Sequence, residues 1–280
     1  MRLRSVVFVL LFAVFSLSPS YTQGASKNLN IVAGTELIAD ITRDLLGDGV
    51  QILTLISASS CPGHYDVRAT DIAFMSRADV IIIHEWQGKQ KPVADAVKAA
   101  GNLAALFFAG PMPSWLIPEN QIQASRNLAV LFSGMPGINA KRVEDRLAQR
   151  IERIAEAVAV CEKDLGPFAG SPVMVSDMQA GFVRRFGMNV IADYGRAEDI
   201  SPGGLMRLSV AGKKAGALVV VDNMQSGAEA GLPLAGEIGA AYIAFSHFPR
   251  FVQEVPDYET LLRYNCGLLT AALKGKAGKP

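Results

Sequence analysis

Short apolar and β-branched runs recur along the chain, each separated from the next by a longer amphipathic stretch. Such runs, bounded by turn residues, predict buried strands. They lie at residues 29–33, 51–56, 79–83, 103–108, 172–175, 189–192, 217–222 and 241–245. Continuous apolar strands alternating with helices are typical of parallel sheets covered on both faces. The pattern therefore predicts an α/β fold of two lobes, each with a roughly four-stranded parallel sheet flanked by helices.

One long amphipathic stretch separates the two groups of strands. Apolar residues recur at spacings of three and four from Val143 to Cys161, with Asn139 as a cap before them and Gly166 as a stop after them. This spacing predicts one helix of roughly 25 residues, about 40 Å long. A long helix packed on a single domain would show the same pattern, but the strands restart directly after it. We therefore interpret it as a rigid connector. The predicted organisation is a lobe at 26–137, a connecting helix at 138–165 and a lobe at 166–280.

The first residues have the order of a secretory signal. Arg2 and Arg4 precede an apolar run at 6–17, and small and polar residues follow up to Ala25. The apolar run is shorter than the roughly 20 residues needed to span a bilayer, and no cysteine lies near it for lipid attachment. We expect a signal peptide at 1–25 that is cleaved, and a periplasmic protein without a lipid anchor.

Composition narrows the functional class. The net charge is +1 and no basic stripe is present, which argues against nucleic acid as a partner. Three cysteines, Cys61, Cys161 and Cys266, are too few for a disulfide scaffold, and whether Cys161 and Cys266 pair stays open. The chain has no nucleophile elbow, phosphate-binding loop or zinc-protease helix motif, so we do not expect an enzyme.

Candidate ligands follow four of the predicted strands. In open α/β sheets, ligands bind outside the carboxyl ends of the strands. His64 follows the second strand, His84 the third, Asp177 the fifth and His247 the eighth. If the lobes face each other, these side chains line one cleft. Imidazoles together with a carboxylate suit zinc, manganese or iron, so we predict a divalent transition-metal site at these four residues.

Structural roles compete with these assignments. His84 also fits a strand-end histidine bonded to the backbone, and Asp177 fits the cap of a following helix. Asp222 and Asn223 end the seventh strand, where such residues commonly cap a helix or turn. Cys61 shares a loop with His64, and its contribution to the site stays open.

Several segments resemble the zinc/manganese solute-binding proteins of ABC importers, the cluster A-I metal-binding family. The segments are Gly-His-Tyr-Asp-Val-Arg-Ala-Thr-Asp at 63–71 with Ala-Asp-Val-Ile at 78–81, Trp-Leu-x-Pro-Glu-Asn at 115–120, Ser-Asp at 176–177 with Arg-Phe-Gly at 185–187, and the helix at 258–273. The similarity covers essentially the whole chain after the signal. It implies two lobes joined by a rigid helix, metal held between them and a membrane permease as partner. We expect a monomer.

The ligand positions depart from the family pattern. His64 matches the first histidine, but Pro113 stands where the family has its second. The third ligand falls on Ser176, with Asp177 beside it, and the fourth falls near Ser246 and His247.

Two interpretations of the site stay open. In one, His64, His247 and Asp177, with His84 or Cys61, hold a metal for delivery to the permease. In the other, the same fold binds a metal chelate or a small organic ligand. A periplasmic metal chaperone or adhesin on this scaffold is a third. We adopt the first, and expect metal affinity to weaken below about pH 6.5, where free histidine protonates.

Overall fold

The computed structural model describes residues 29–60, 66–110, 114–227 and 229–277. Within these ranges, the strands form two separate four-stranded sheets in which every pairing is parallel, with orders β2-β1-β3-β4 and β6-β5-β7-β8. The strands are β1 Leu29–Thr35, β2 Val50–Ile56, β3 Val80–Ile83, β4 Leu106–Phe108, β5 Pro172–Ser176, β6 Asn189–Tyr194, β7 Val219–Asn223 and β8 Ala241–Phe245. The predicted fold class is confirmed.

Helices cover both sheets and connect them. They are α1 Glu36–Leu46, α2 Ala69–Met75, α3 Glu85–Lys89, α4 Lys91–Ala100, α5 Pro118–Ser133, α6 Ala140–Leu165, α7 Asp177–Arg185, α8 Pro202–Ala215, α9 Gly231–Ile238 and α10 Tyr258–Ala277. We call β1–β4 with α1–α5 the first lobe, and β5–β8 with α7–α10 the second lobe. None of the described helices is long and apolar enough to cross a membrane.

The fourth strand is shorter than its sequence pattern predicts. Leu103–Ala105 forms a 3-10 turn, and β4 begins only at Leu106. The side-chain amide of Asn102 donates hydrogen bonds to the carbonyls of Met75 (3.0 Å) and Ala78 (2.8 Å). This anchor holds the chain against the end of α2, so the backbone must turn before it can enter the sheet.

The connector is one uninterrupted helix, α6, of 26 residues. Asn139 caps it, because its side-chain oxygen accepts a hydrogen bond from the backbone N–H of Arg142 at 3.1 Å. At 1.5 Å per residue the helix is about 39 Å long. It packs against α1 and α5 of the first lobe and against α10 of the second. The domain boundaries predicted on either side of it remain a prediction.

The buried stripe of α6 contains a charged residue. Arg150 is fully buried, and its guanidinium donates to Asp40 (2.8 Å) and Asp44 (2.9 Å) on α1. The same group donates to the Ser125 hydroxyl at 3.0 Å and the Gln121 side-chain oxygen at 3.3 Å, both on α5. Four partners on two helices thus hold one buried cation.

A second arginine carries this network to the other lobe. Arg153, one turn further along α6, pairs with Asp44 and also with Glu259 on α10, the latter at 2.8 Å. Asp44 is therefore shared by the two arginines. We call Asp40, Asp44, Arg150, Arg153 and Glu259 the arginine network. It links α1, the connector and α10 by ion pairs.

Two of the three cysteines lie where the connector meets the last helix. Cys161 and Cys266 are both buried and free. The thiol of Cys161 donates to the carbonyl of Leu262, one turn before Cys266 on α10, at 3.6 Å. Cys61 lies outside the described residues.

Candidate metal-binding cleft

A cleft of about 610 Å³ lies where the carboxyl ends of the two sheets face each other. Its first-lobe wall includes Thr35, His84, Trp86, Ser114 and Trp115. Its second-lobe wall includes Asp177, Arg184, Asp193, Arg196, His247 and Phe248. Because parallel strands end at the same edge of their sheet, the residues that follow them are brought together here.

The structure brings three of the four predicted ligands to this cleft: His84, Asp177 and His247. The fourth, His64, lies outside the described residues, as does its neighbour Cys61. Among the described residues, no three His, Cys, Asp or Glu side chains lie close enough together to hold a metal ion. A complete protein-only metal site would therefore need at least one ligand from another part of the chain.

His84 is held tightly at the end of β3. Its ring nitrogen Nε2 lies 2.9 Å from the hydroxyl of Thr35, the last residue of β1. Its ring stacks on Trp86 with centroids 5.6 Å apart, and it meets Trp115 edge-on at 4.3 Å. Its backbone N–H donates to the side chain of Gln87 at 3.0 Å. The ring is thus held by a side-chain hydroxyl and by two indole rings.

Burial keeps the rings of both cleft histidines, His84 and His247, neutral. Burial, and to a smaller extent the nearby His247, lowers the pKa of His84 to about 3. Burial alone lowers the pKa of His247 to about 4. A low-dielectric environment disfavours the charged imidazolium, which is the cause in both cases. At neutral pH each ring has one nitrogen lone pair, which is the form that binds a metal.

His247 presents a nitrogen that has no partner among the described residues. Its Nδ1 is inaccessible to solvent and makes no hydrogen bond there. Its ring meets Phe248 edge-on at 5.0 Å, and its backbone N–H donates to the Gln225 side chain at 2.9 Å. The preceding Ser246 is fully buried, and its hydroxyl donates to the Phe248 carbonyl at 2.7 Å. Of the two residues near the family's fourth ligand position, only His247 lines the cleft.

Asp177 is the first residue of α7 and is exposed at the rim of the cleft. Its Oδ1 accepts the backbone N–H of Met178 at 2.7 Å, so one oxygen assists the start of the helix.

By contrast, Asp222 and Asn223 have structural roles. Asp222 accepts the backbone N–H of Gly231, the first residue of α9, at 3.0 Å, and the Asn223 side chain accepts the backbone N–H of Gln225 at 3.3 Å.

The segment before α5 contributes Ser114 and Trp115 to the cleft wall, and neither residue type is a usual metal ligand. Three consecutive backbone carbonyls of this segment each accept a hydrogen bond from a side chain. The Ser114 carbonyl accepts from Asn120 (2.6 Å), the Trp115 carbonyl from Gln121 (2.9 Å) and the Leu116 carbonyl from the Tyr258 hydroxyl (2.8 Å). The first two side chains lie on α5, whereas Tyr258 begins α10 of the second lobe. The segment is therefore held from both lobes.

Two side-chain donors of this segment are left unpaired. The Ser114 hydroxyl and the Trp115 indole N–H are both inaccessible to solvent and make no hydrogen bond within the described ranges. Trp115 is only 5% exposed. The sequence offered one signal, a tryptophan three positions before the proline that begins α5. The spacing of residues does not tell whether its indole N–H has a partner.

The charged residues of the cleft are balanced. Arg184 pairs with Asp193 at 2.8 Å, and Arg196 lies 3.3 Å from Glu198 and 3.6 Å from Asp199. These arginines are engaged with carboxylates of their own lobe. Among the described lining residues, the cleft therefore carries no large excess charge of either sign.

The comparisons with known proteins agree with this architecture. Residues 31–272 match the family described as zinc-uptake complex component A, periplasmic. The chain is 23% identical over 207 residues to the metal ABC transporter substrate-binding lipoprotein ScbA of Streptococcus cristatus, which covers 65% of this chain and 67% of that protein. It is 32% identical over 179 residues to the manganese ABC transporter substrate-binding lipoprotein scaA of Streptococcus gordonii, covering 55% and 58%.

Solved structures share the fold. A crystal structure of ZnuA superposes with a TM-score of 0.74 at 18% identity, covering 87% of this chain and 98% of that one. A periplasmic metal binding protein from Candidatus Liberibacter asiaticus superposes with a TM-score of 0.73 at 17% identity, covering 88% and 100%. At these identities the likeness concerns the fold and not the ligands.

Proposed function

The chain belongs to the family of periplasmic zinc-uptake component A proteins, and from this we propose that it is the periplasmic solute-binding component of an ABC importer. It binds a transition-metal ion, which is zinc, manganese or iron, in the cleft between the lobes and delivers it to a membrane permease. This is a transport function and not catalysis. The monomeric state and the absence of a lipid anchor remain predictions from the sequence.

One observation carries the proposal. His84, Asp177 and His247 come from both lobes and border the same cleft, and both imidazoles are neutral at physiological pH because burial lowers their pKa values. Neutral imidazole and carboxylate are ligands that zinc, manganese and iron accept. The relatives named above as metal and manganese transporter proteins support the same class of cargo.

We propose that His247 and Asp177 bind the metal together with His64. A contact near the loop of His64 supports this set. Gln225, which holds the backbone of His247, also donates to the carbonyl of Ala58 at 3.2 Å. Ala58 follows β2 and leads towards His64, six positions further along the chain. The chain around His247 is thus tied, through Gln225, to the residues of the first lobe that follow β2.

His84 has a different part in this proposal. Its Nε2 is engaged with Thr35, so a tautomer that donates from Nε2 leaves only Nδ1 for a metal. We propose that His84 serves first as a neutral, rigid wall of the site and contributes a ligand only through Nδ1. Replacing His84 should therefore lower metal affinity less than replacing His247.

Calorimetric titration of the metal-stripped protein with zinc, manganese and iron(II) tests the proposal. We expect at least one ion to bind with micromolar or tighter affinity. His247→Ala should weaken it by at least about 10-fold to 100-fold, the loss that replacing even an outer-shell partner of a metal ligand causes, and Asp177→Asn should also weaken it. Asp145→Asn is the matched control, because Asp145 pairs with Lys141 on the exposed face of α6.

Two outcomes would reject the proposal. The first is that no ion binds more tightly than the millimolar range. The second is that the His247→Ala, Asp177→Asn double variant binds the ion as well as the parent protein does. Binding of an organic molecule without any metal would instead favour the small-ligand interpretation.

A further inference from the structure

The loop that carries His247 also contains a strained residue. Arg250 has a backbone φ of 64°, and within the described ranges every other residue with a positive φ is a glycine. In this left-handed region the Cβ atom crowds the following carbonyl oxygen, so glycine normally occupies such positions. The Arg250 N–H donates to the Val255 carbonyl at 2.6 Å, which holds the turn in this conformation. Strained residues of this kind concentrate at functional sites.

The side chain of Arg250 reaches the other lobe. Its Nε lies 3.6 Å from Oε1 of Glu36, the first residue of α1. The Glu36 side chain is only 7% exposed, and the same oxygen accepts from Arg43 at 2.7 Å. A nearly buried carboxylate depends on the cations beside it, because little water replaces a missing partner. The guanidinium of Arg250 is half exposed, so the pair is of modest strength.

This ion pair connects the chain segments of the two cleft histidines. Glu36 directly follows Thr35, whose hydroxyl lies 2.9 Å from Nε2 of His84. Arg250 follows His247 by three positions. Thr35, His84 and His247 all line the cleft. The contact thus ties the loop of the second-lobe histidine to the end of the strand that holds the first-lobe histidine.

The bonds that the loop makes within its own lobe do not set its distance from the first lobe. The backbone N–H and carbonyl of Ser246 are both bonded by the Asn265 side chain, at 3.1 Å and 2.9 Å. The His247 N–H donates to the Gln225 side chain. These bonds fix the start of the loop on the second lobe. Arg250 adds a contact from the loop itself to the first lobe.

We propose that Arg250 is a positioning residue for the metal site, and that its contact with Glu36 holds the His247 loop at the distance from the first lobe that metal binding requires. Glycine at this position would relieve the backbone strain but could not make the contact. The inference rests on the proposed function, because it needs a metal ion that His247 binds.

Replacing Arg250 by glycine separates positioning from stability. Arg250→Gly relieves the strain and removes the ion pair, so the urea midpoint should stay equal or rise. The affinity for the metal ion should nevertheless fall by about threefold to fivefold, the range that a half-exposed ion pair reaches. Calorimetric titration of the metal-stripped protein with zinc, manganese and iron(II) ions measures the affinity, and urea unfolding followed by circular dichroism measures the midpoint.

A double-mutant cycle tests whether Arg250 acts through Glu36. Arg250→Ala keeps the strain and removes the contact, and Glu36→Gln removes the carboxylate charge. The double variant should lose no more affinity than Arg250→Ala alone, because both changes break one contact. Arg43→Ala is the matched control, since it removes the other cation from the same carboxylate but within the first lobe. It should change metal affinity less than twofold.

The outcomes separate this inference from the proposed function. If Arg250→Gly binds the ion as tightly as the parent protein does, the inference is wrong and the proposed function stands. Additive losses in the cycle, or a urea midpoint of Arg250→Gly that falls together with its affinity, likewise overturn the inference alone. If the parent protein binds none of the three ions, both fail. Should Glu36→Gln not fold, the two Arg250 variants still decide the matter.

Discussion

The arginine network and the cleft are both polar regions that contact the two lobes. They differ in how far their polar atoms are paired, although Glu259 Oε2 of the network also makes no hydrogen bond among the described residues. In the network, the buried Arg150 donates to two carboxylates, a hydroxyl and an amide oxygen. In the cleft, Ser114 Oγ, Trp115 Nε1 and His247 Nδ1 have no partner among the described residues. The paired donors of Arg150 contribute to the stability of the fold, whereas these three cleft atoms make no such contribution.

The pairing of the buried arginine is a requirement for folding. A buried charge is tolerable only when it is paired and hydrogen-bonded, so the network must form whenever the protein folds. Burial raises the pKa of Asp40 to about 6 even with the Arg150 guanidinium beside it, which shows how strongly this carboxylate is withdrawn from water.

Removing the centre of the network should have the largest effect on stability. Arg150→Met leaves Asp40 buried without its cation, and we expect the free energy of unfolding to fall by about 3–5 kcal/mol. Urea unfolding followed by circular dichroism measures it. Metal affinity per folded molecule should change little, because Arg150 does not border the cleft. A loss below about 1 kcal/mol would contradict the assigned role of the network.

Tyr258 precedes Glu259 of the arginine network and bonds to the segment that borders the cleft. Its replacement therefore tests whether α10 of the second lobe stabilises that segment. Tyr258→Phe removes the hydroxyl that donates to the Leu116 carbonyl at 2.8 Å, and leaves that carbonyl buried. We expect a loss of about 1–3 kcal/mol in unfolding free energy. We also expect faster amide hydrogen exchange in the Ser114–Trp115 segment. Unchanged exchange there would mean that α5 alone holds it.

The cleft histidines should make stability depend on pH. Unfolded histidine has a pKa near 6.5, whereas burial lowers the folded values to about 3 for His84 and about 4 for His247. Below pH 6.5 the unfolded chain therefore binds protons that the folded chain does not. The free energy of unfolding falls as the pH drops, and each histidine contributes roughly 1 kcal/mol between pH 7 and 5.5.

Urea unfolding of the parent and of His247→Gln at these two pH values checks this contribution. The variant should lose about 1 kcal/mol less than the parent over the same interval. An identical loss would show that His247 titrates normally in the folded state. The expectation that metal affinity weakens below about pH 6.5 stays a prediction.

Breaking an exposed ion pair on the connector should have the smallest effect on stability. Lys141 and Asp145 pair at 2.6 Å with most of their side-chain surface in solvent. Such pairs contribute less than about 0.5 kcal/mol on a helix. Lys141→Ala should therefore leave thermal and urea midpoints within error. A larger loss would mean that the solvent-facing side of α6 also stabilises the connector.

Much of the fold follows from local pattern. Apolar runs and helix punctuation predicted both sheets and the connecting helix, because burial on both faces imposes a continuous apolar strand. The exceptions depend on distant partners. The 3-10 turn at Leu103–Ala105 follows from Asn102 bonding to Met75 and Ala78. Likewise, Arg150 occupies a position in the buried stripe of α6 because carboxylates from α1 reach it.

The candidate site was predictable only in outline. The rule that ligands bind at the carboxyl ends of strands led to His84, Asp177 and His247, and all three border the cleft. Their role as ligands remains a prediction. The pairing of Asp222 with the start of α9 and the unpaired indole of Trp115 could not be read from spacing, because each depends on a contact across the folded chain.

The two tryptophans of the chain, Trp86 and Trp115, both border the cleft. The indole emission of the whole protein therefore originates from the walls of one cavity, and a heavy or paramagnetic ion seated there would quench it without any attached dye. The two emitters also differ in environment, since Trp86 is 40% exposed and Trp115 is 5% exposed. Their emission maxima should differ in wavelength. The wavelength at which emission is quenched therefore tells whether the exposed Trp86 or the buried Trp115 is affected.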